Sequence, residues 1–225
     1  MRLELLTLVC SLSLLLTERS EATLWFGLSD TQGHSIVVGL SSGPITSHPD
    51  RNSFFGHLDL DNGFVGVGAT AIPSMQAKTI HNLNERARGP QDMIVGLERT
   101  FSTRRFIVAY DDGTILATQG ATGCNSTNVY CGKAARERFA IVGGGLSSAD
   151  VISAPLKFYD ENLNRTEWRD LACKLIDVIL SKGAEVQDFE YGVIWTFDGQ
   201  ALTSLFESKS ESQLIGEVKT EICGQ

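Results

Sequence analysis

Apolar and polar positions alternate in short blocks along most of this chain, and two longer regions follow a helical period instead. Residues 24–29 (LWFGLS) and 35–40 (SIVVGL) read as strands on either side of the turn Asp30-Thr31-Gln32-Gly33. Residues 41–50, with Pro44 and Pro49, read as a loop. Residues 64–70 (FVGVGAT) form a further strand with Gly66 and Gly68 on one face, which predicts something packed close against that face. Residues 74–88 place Ala77, Ile80, Leu83 and Ala87 at helical spacing, and Gly89-Pro90 ends the helix; residues 91–100 make a second, shorter one. Residues 105–110 (RFIVAY) and 114–118 flank Asp111-Asp112-Gly113 and give the clearest hairpin.

Residues 139–142 read as a strand running into Gly143-Gly144-Gly145, and Ser147 to Asp150 cap a helix through residue 159. Residues 167–182 carry the strongest helical stripe: Trp168, Leu171, Ala172, Leu175, Ile176 and Ile179, stopped by Gly183. Residues 189–197 and 201–206 make a last hairpin around Asp198-Gly199, and the tail beyond Phe206 is polar until Ile222. Blocks of mostly antiparallel strands thus alternate with two helical groups. That order predicts an α+β fold of two packed sheets with helices outside both.

The first residues follow a different pattern. Arg2 precedes an apolar stretch over residues 5–16, and the segment ends Ser20-Glu21-Ala22, with small residues at the two positions a signal peptidase reads. As a helix that stretch rises only about 18 Å, short of a roughly 30 Å bilayer core. We therefore expect a signal peptide at 1–22, a single domain at 23–225, and a secreted, extracellular protein.

The four cysteines beyond the leader agree with an oxidising compartment. Cys124 and Cys131 flank a short polar loop, which favours the pairing Cys124–Cys131 and Cys173–Cys223 over a zinc site, since no Cys-x-x-Cys or His pair stands nearby. Two sequons, Asn125-Ser126-Thr127 and Asn164-Arg165-Thr166, suit a glycosylated surface in a eukaryotic host. The 225 residues carry 19 Lys+Arg against 27 Asp+Glu, so a nucleic-acid partner is not expected. No apolar run reaches membrane-spanning length. Assembly into a homo-oligomer stays open.

Several motifs look chemical and fail on context. Gly39-Leu40-Ser41-Ser42-Gly43 matches a nucleophile elbow, but Pro44 and Pro49 follow where a helix is required, and all four His lie within the first 81 residues. Gly66-Val67-Gly68-Ala69-Thr70-Ala71 matches a dinucleotide fingerprint, but its glycines fall inside the strand and not in the turn after it. His57, Asp59 and Asp61 share one face of an extended segment that could hold a metal, but an EF-hand loop fails at Gly63 and Thr70, and a solvated strand face is the expectation over a metal site.

One candidate is created by processing. Cutting after Ala22 leaves Thr23 first. An N-terminal Thr carries a nucleophilic hydroxyl and its own base, an α-amine with pKa near 7.7–8.0.

Read from Thr23, TLWFGLSD resembles the opening of a widespread family of unknown function, numbered 1028, itself similar to the N-terminal nucleophile (Ntn) hydrolases. Thr23 and Asp30 fall on its first and eighth positions. SIVVGLSS resembles its strand ending in Ala-Ser, GFVGVGAT its Gly-Val-Gly-Ala-Val-Ala-Thr segment, and RFIVAYDDGTILAT its Arg-led hairpin. Thr122-Gly123-Cys124 and FAIVGGG follow in the family's order. The family's Asn after Gly is Gly144 here, and its Gln after Arg is Phe106.

The resemblance implies a four-layer αββα sandwich and hydrolysis of an amide-like bond in a small-molecule or peptide-like substrate, without metal or organic cofactor. It implies Thr23 as nucleophile, with Asp30 orienting the amine or shaping the turn beside it. Ser41, Ser42, Thr70, Arg105 and Gly144 are the expected substrate-binding positions. A catalytically inactive binding or interaction protein on the same fold is the alternative.

Overall fold

The computed structural model describes residues 22–43, 45–46, 55–68, 74–121, 124, 129–164, 166–182, 189–208 and 210–224. Residues 1–21 of the expected leader, Thr70 and the Asn125 sequon lie outside these residues.

Two sheets face each other. The first is six-stranded, in the order β11-β10-β2-β1-β9-β8: Ala201–Glu207, Tyr191–Phe197, Ser35–Ser41, Thr23–Ser29, Phe139–Leu146 and Tyr130–Arg136. All its neighbours are antiparallel. The second is five-stranded, β3-β4-β5-β6-β7: Ile45–Thr46, Phe55–Leu60, Gly63–Gly68, Arg105–Tyr110 and Ile115–Thr118. There only β3 and β4 run parallel. Helices α1 (Ser74–Arg86) and α2 (Pro90–Thr100) cover the second sheet, and α3 (Asp150–Asn162), α4 (Trp168–Ser181) and α5 (Glu211–Cys223) cover the first.

Three apolar layers hold this stack together, and β1 shows how one strand serves two of them. Leu24, Phe26 and Leu28 point out under α3, α4 and α5 with Ile176, Leu214 and Val218. Trp25 points inward to Val37, Phe64, Ile107 and Trp195 of the middle layer. All seven residues of β1 are buried, which is why the strand reads as a nearly continuous apolar run. The third layer packs Val65, Val67, Phe106 and Val108 under Ile80, Met93 and Leu97. The α+β, four-layer αββα arrangement expected from the sequence is the one observed.

The elements depart from the sequence expectation where tertiary pairing outweighs local preference. Strand β9 continues through Gly143-Gly144-Gly145 because β1 and β8 hold it on both sides. Tyr130–Arg136, to which the sequence pattern assigns no element, is a strand at the edge of the sheet. The polar tail holds α5, with Leu214, Val218 and Ile222 buried along one stripe. The Ser210 hydroxyl accepts from Gln213 N–H, and Gly224 closes the helix at φ 66°. Both expected disulfides are present, Cys124–Cys131 and Cys173–Cys223, the latter joining α4 to α5. Among the described residues no helix is long and apolar enough to cross a membrane.

Candidate functional site

Strand pairing sets Thr23 between Ser41 of β2 and Gly144 of β9. Directly opposed residues share a face. Thr23, Ser41 and Gly144 therefore line the inner face of the first sheet, at one end of the sandwich. The second sheet meets them there with Gly68 and Arg105, themselves paired across β5 and β6. Arg105 alternates with Ile107 and Ala109, both in the middle layer, so the fold turns its long side chain inward.

The two sheets touch at Thr23. Arg105 Nη1 donates to Thr23 Oγ1 at 3.2 Å, and Nη2 donates to Cys124 Sγ and Cys131 Sγ, each at 3.3 Å. Thr23 is 0% and Arg105 1% exposed. Burial pulls the guanidinium pKa down to about 10, so Arg105 remains a cation at neutral pH.

Two glycines make this contact possible. A Cβ on Gly68 would stand 2.9 Å from Thr23 Oγ1. A Cβ on Gly144 would overlap the Arg105 guanidinium at Nη2. Next along β5, a Cβ on Gly66 would meet the Trp25 ring at 2.7 Å, so the partner foreseen for the glycine face is Thr23 and Trp25 themselves. The triple glycine also carries a bulge: Tyr130 pairs with Leu146 and Gly132 with Gly143, so Gly144 and Gly145 stand opposite Cys131 alone. Gly145 takes φ 72°, a conformation glycine adopts without strain.

The other expected site residues separate into near and far. Ser41 is fully buried beside Thr23, and its Oγ accepts from Gly43 N–H at 3.1 Å. Ser42 meets the segment ahead of Thr23: Ala22 N–H donates to Ser42 Oγ at 3.0 Å, and Ser42 N–H donates to Ala22 O at 3.1 Å.

Asp30 does not join them. It lies beyond the far end of β1, roughly 20 Å from Thr23 at about 3.3 Å per strand residue. Its carboxylate is committed to its own turn, accepting from Gln32 N–H at 2.7 Å, His34 N–H at 3.0 Å and the His34 ring at 2.7 Å. The expectation that Asp30 orients the Thr23 amine is therefore corrected, and its turn-shaping role is the one the geometry supports. Burial raises the Asp30 pKa, but the hydrogen bonds from His34 and from the Gln32 and His34 backbone outweigh it and leave a net lowering. A cavity of about 310 Å³ sits at this distal end, between Asp30, Arg138, Tyr159 and Trp168.

The His57 face is also corrected. His57 is buried, not solvated, and stacks on Phe64 at 5.7 Å; burial lowers its pKa, with Asp59 opposing. Asp59 accepts from Thr203 across the sheets, and Asp61 has left the strand. Among the described residues no three metal-ligating side chains converge. The part sequence reasoning missed is the Cys124–Cys131 disulfide as a wall of the Thr23 site. Its one signal was Cys124 following Thr122-Gly123.

No family model matches the sequence, and no curated protein matches it. The fold has a counterpart among solved structures. The crystal structure of protein SPO2555 from Silicibacter pomeroyi, a DUF1028 protein, superposes with a TM-score of 0.63 at 12% identity, covering 90% of this chain and 88% of that one. The fold is that of a DUF1028 protein. At this identity the likeness carries the architecture, and the DUF1028 fold places no chemistry on the chain by itself.

Proposed function

We propose that residues 23–225 form a secreted hydrolase of amide-like bonds, in which removal of residues 1–22 frees Thr23 as an N-terminal nucleophile. The observation that supports this most is the setting of Thr23. It opens a central strand in the inter-sheet layer, with a buried cation 3.2 Å from its hydroxyl oxygen.

The chemistry follows from those groups. The Thr23 hydroxyl attacks the substrate carbonyl carbon, and its proton passes to the α-amine. The Arg105 guanidinium disfavours a second positive charge nearby, which keeps that amine neutral and basic. It also favours negative charge on oxygen, whether on the hydroxyl as it ionises or on the tetrahedral intermediate. Collapse breaks the C–N bond, the leaving nitrogen takes the proton from the amine, and the acyl group stays on Thr23 as an ester. Water, deprotonated by the same amine, then releases the acid. Ser42, now bonded to Ala22, would face the new amine, and Ser41 shares the inner face with the hydroxyl. The scheme uses no metal and no organic cofactor.

The complete burial of Thr23 favours a second reading, a binding protein on the same fold with no turnover. One experiment separates the two. The secreted protein is analysed by intact mass, then exposed to a β-lactone or epoxyketone probe. A chain beginning at Thr23 that is labelled in wild type and unlabelled in Thr23→Ala is the expected result. A different N-terminus, or a free Thr23 that stays unlabelled, refutes the hydrolase and leaves the binding protein.

A further inference from the structure

The Cys124–Cys131 disulfide rests on a buried cation. One nitrogen, Arg105 Nη2, lies 3.3 Å from both sulfurs, and Arg105 is buried, so bulk solvent screens its charge only weakly. A disulfide is neutral, whereas the cysteine released from it ionises. A fixed cation at contact distance stabilises the thiolate and leaves the disulfide nearly unaffected. It lowers both the barrier to exchange, in which one sulfur departs as an anion, and the energy of the reduced product. The bulge in β9 stands opposite Cys131, next to this contact. Both cysteines are only half-buried, so a small thiol can reach them. The second disulfide, Cys173–Cys223, has no hydrogen-bonded cation among the described residues.

We propose that Cys124–Cys131 is a redox-active disulfide that exchanges reversibly with small dithiols, with Arg105 holding the thiolate. A dithiol thiolate attacks one cysteine sulfur, the S–S bond breaks, and the other sulfur leaves as a thiolate beside Arg105. The second dithiol sulfur then closes a cyclic disulfide and expels the attacked cysteine. Two electrons pass to the protein; of the dithiol's two protons, one goes to the expelled cysteine and the other to solvent. The exchange is independent of whether Thr23 is a nucleophile.

The test uses the intact folded protein in graded mixtures of reduced and oxidised dithiothreitol, acid-quenched, alkylated and read by peptide mass spectrometry. The expected result is that Arg105→Met requires at least a tenfold higher ratio of reduced to oxidised dithiol to open Cys124–Cys131, a shift of about 30 mV. The opening of Cys173–Cys223 stays where it was. A smaller shift at Cys124–Cys131 overturns the proposal.

Should Arg105→Met not fold, Cys124→Ser leaves Cys131 beside Arg105, and its alkylation rate is followed against pH. A midpoint at least one unit below the free-cysteine value of about 8.5 supports the proposal, and a smaller displacement overturns it.

Discussion

Gly144→Ala tests the geometry of the site directly, because the methyl group enters the space held by the Arg105 guanidinium. The new Cβ would overlap Nη2, Cζ and Nε of Arg105. One side has to move, and the backbone of β9 is held by ladders to β1 and β8. The guanidinium must therefore leave Thr23 and the two sulfurs. Overpacking a core of this kind costs about 1–3 kcal/mol, and a hydrogen bond from a charged donor is worth about 1.5–3 kcal/mol. Against this, replacing glycine by alanine in extended backbone gains about 0.5–1 kcal/mol.

Summed, these terms give a net loss of about 1.5–5.5 kcal/mol, or roughly 3–22 °C in Tm for a domain of this size. In an Arg105→Ala background the obstruction is gone, and Gly144→Ala should be neutral or stabilising by about 0.5–1 kcal/mol. Urea unfolding of the four proteins in the cycle measures the difference. Additivity within about 0.5 kcal/mol would show that the guanidinium does not occupy this space, and the reasoning about the site would fail.

Other consequences are open to similar measurement. Gly66→Ala drives a methyl into the Trp25 ring at 2.7 Å, so it should cost about 1–3 kcal/mol and lower Tm, read by differential scanning calorimetry. Removing Cys173–Cys223 frees a loop of 50 residues and should cost about 4 kcal/mol by chain entropy, against about 2 kcal/mol for the 7-residue Cys124–Cys131 loop; paired Cys→Ala variants under urea give the order. Because the folded-state pKa of Asp30 is depressed, its ionisation contributes stability that is present above the unfolded pKa near 3.8. That stability is lost as pH falls through the lower folded value, so the penalty of Asp30→Ala should be full at pH 7 and shrink below about pH 4. A pH-independent penalty in urea unfolding would contradict this.

Legibility along this chain follows what each residue's role depends on. The sheets were readable because their residues act through period and apolarity: β1, buried on both faces, is a nearly continuous apolar run between Thr23 and Ser29, and the β6–β7 hairpin carries Asp112 and Gly113 where its turn needs them. The glycine face of β5 was readable as a close approach, although not what approached it. Helix α5 is hard to read because its buried stripe is only Leu214, Val218 and Ile222 in a largely polar segment, and it becomes visible only once β10 and the other helices supply a surface for it. Strand β8 is hard to read for a related reason: at the edge of the sheet it stays largely exposed, and YCGKAAR carries no alternating apolar face to mark it as a strand.

The site was the least legible part, because its chemistry rests on the end of one long side chain. Nothing in the order of residues says that Arg105, at the start of a strand in one sheet, delivers its guanidinium to the first residue of a strand in the other. Gly144 shows the consequence most clearly. Set against the resembling family, it looks like a lost amide donor. In the structure it is the vacancy that admits a stronger donor from the opposite sheet, and an Asn there would collide with Arg105 from its Cβ onward. The absence of that Asn therefore does not argue for the loss of catalysis. The two residues form one arrangement, and the presence of Arg105 against Thr23 explains why position 144 has to be glycine.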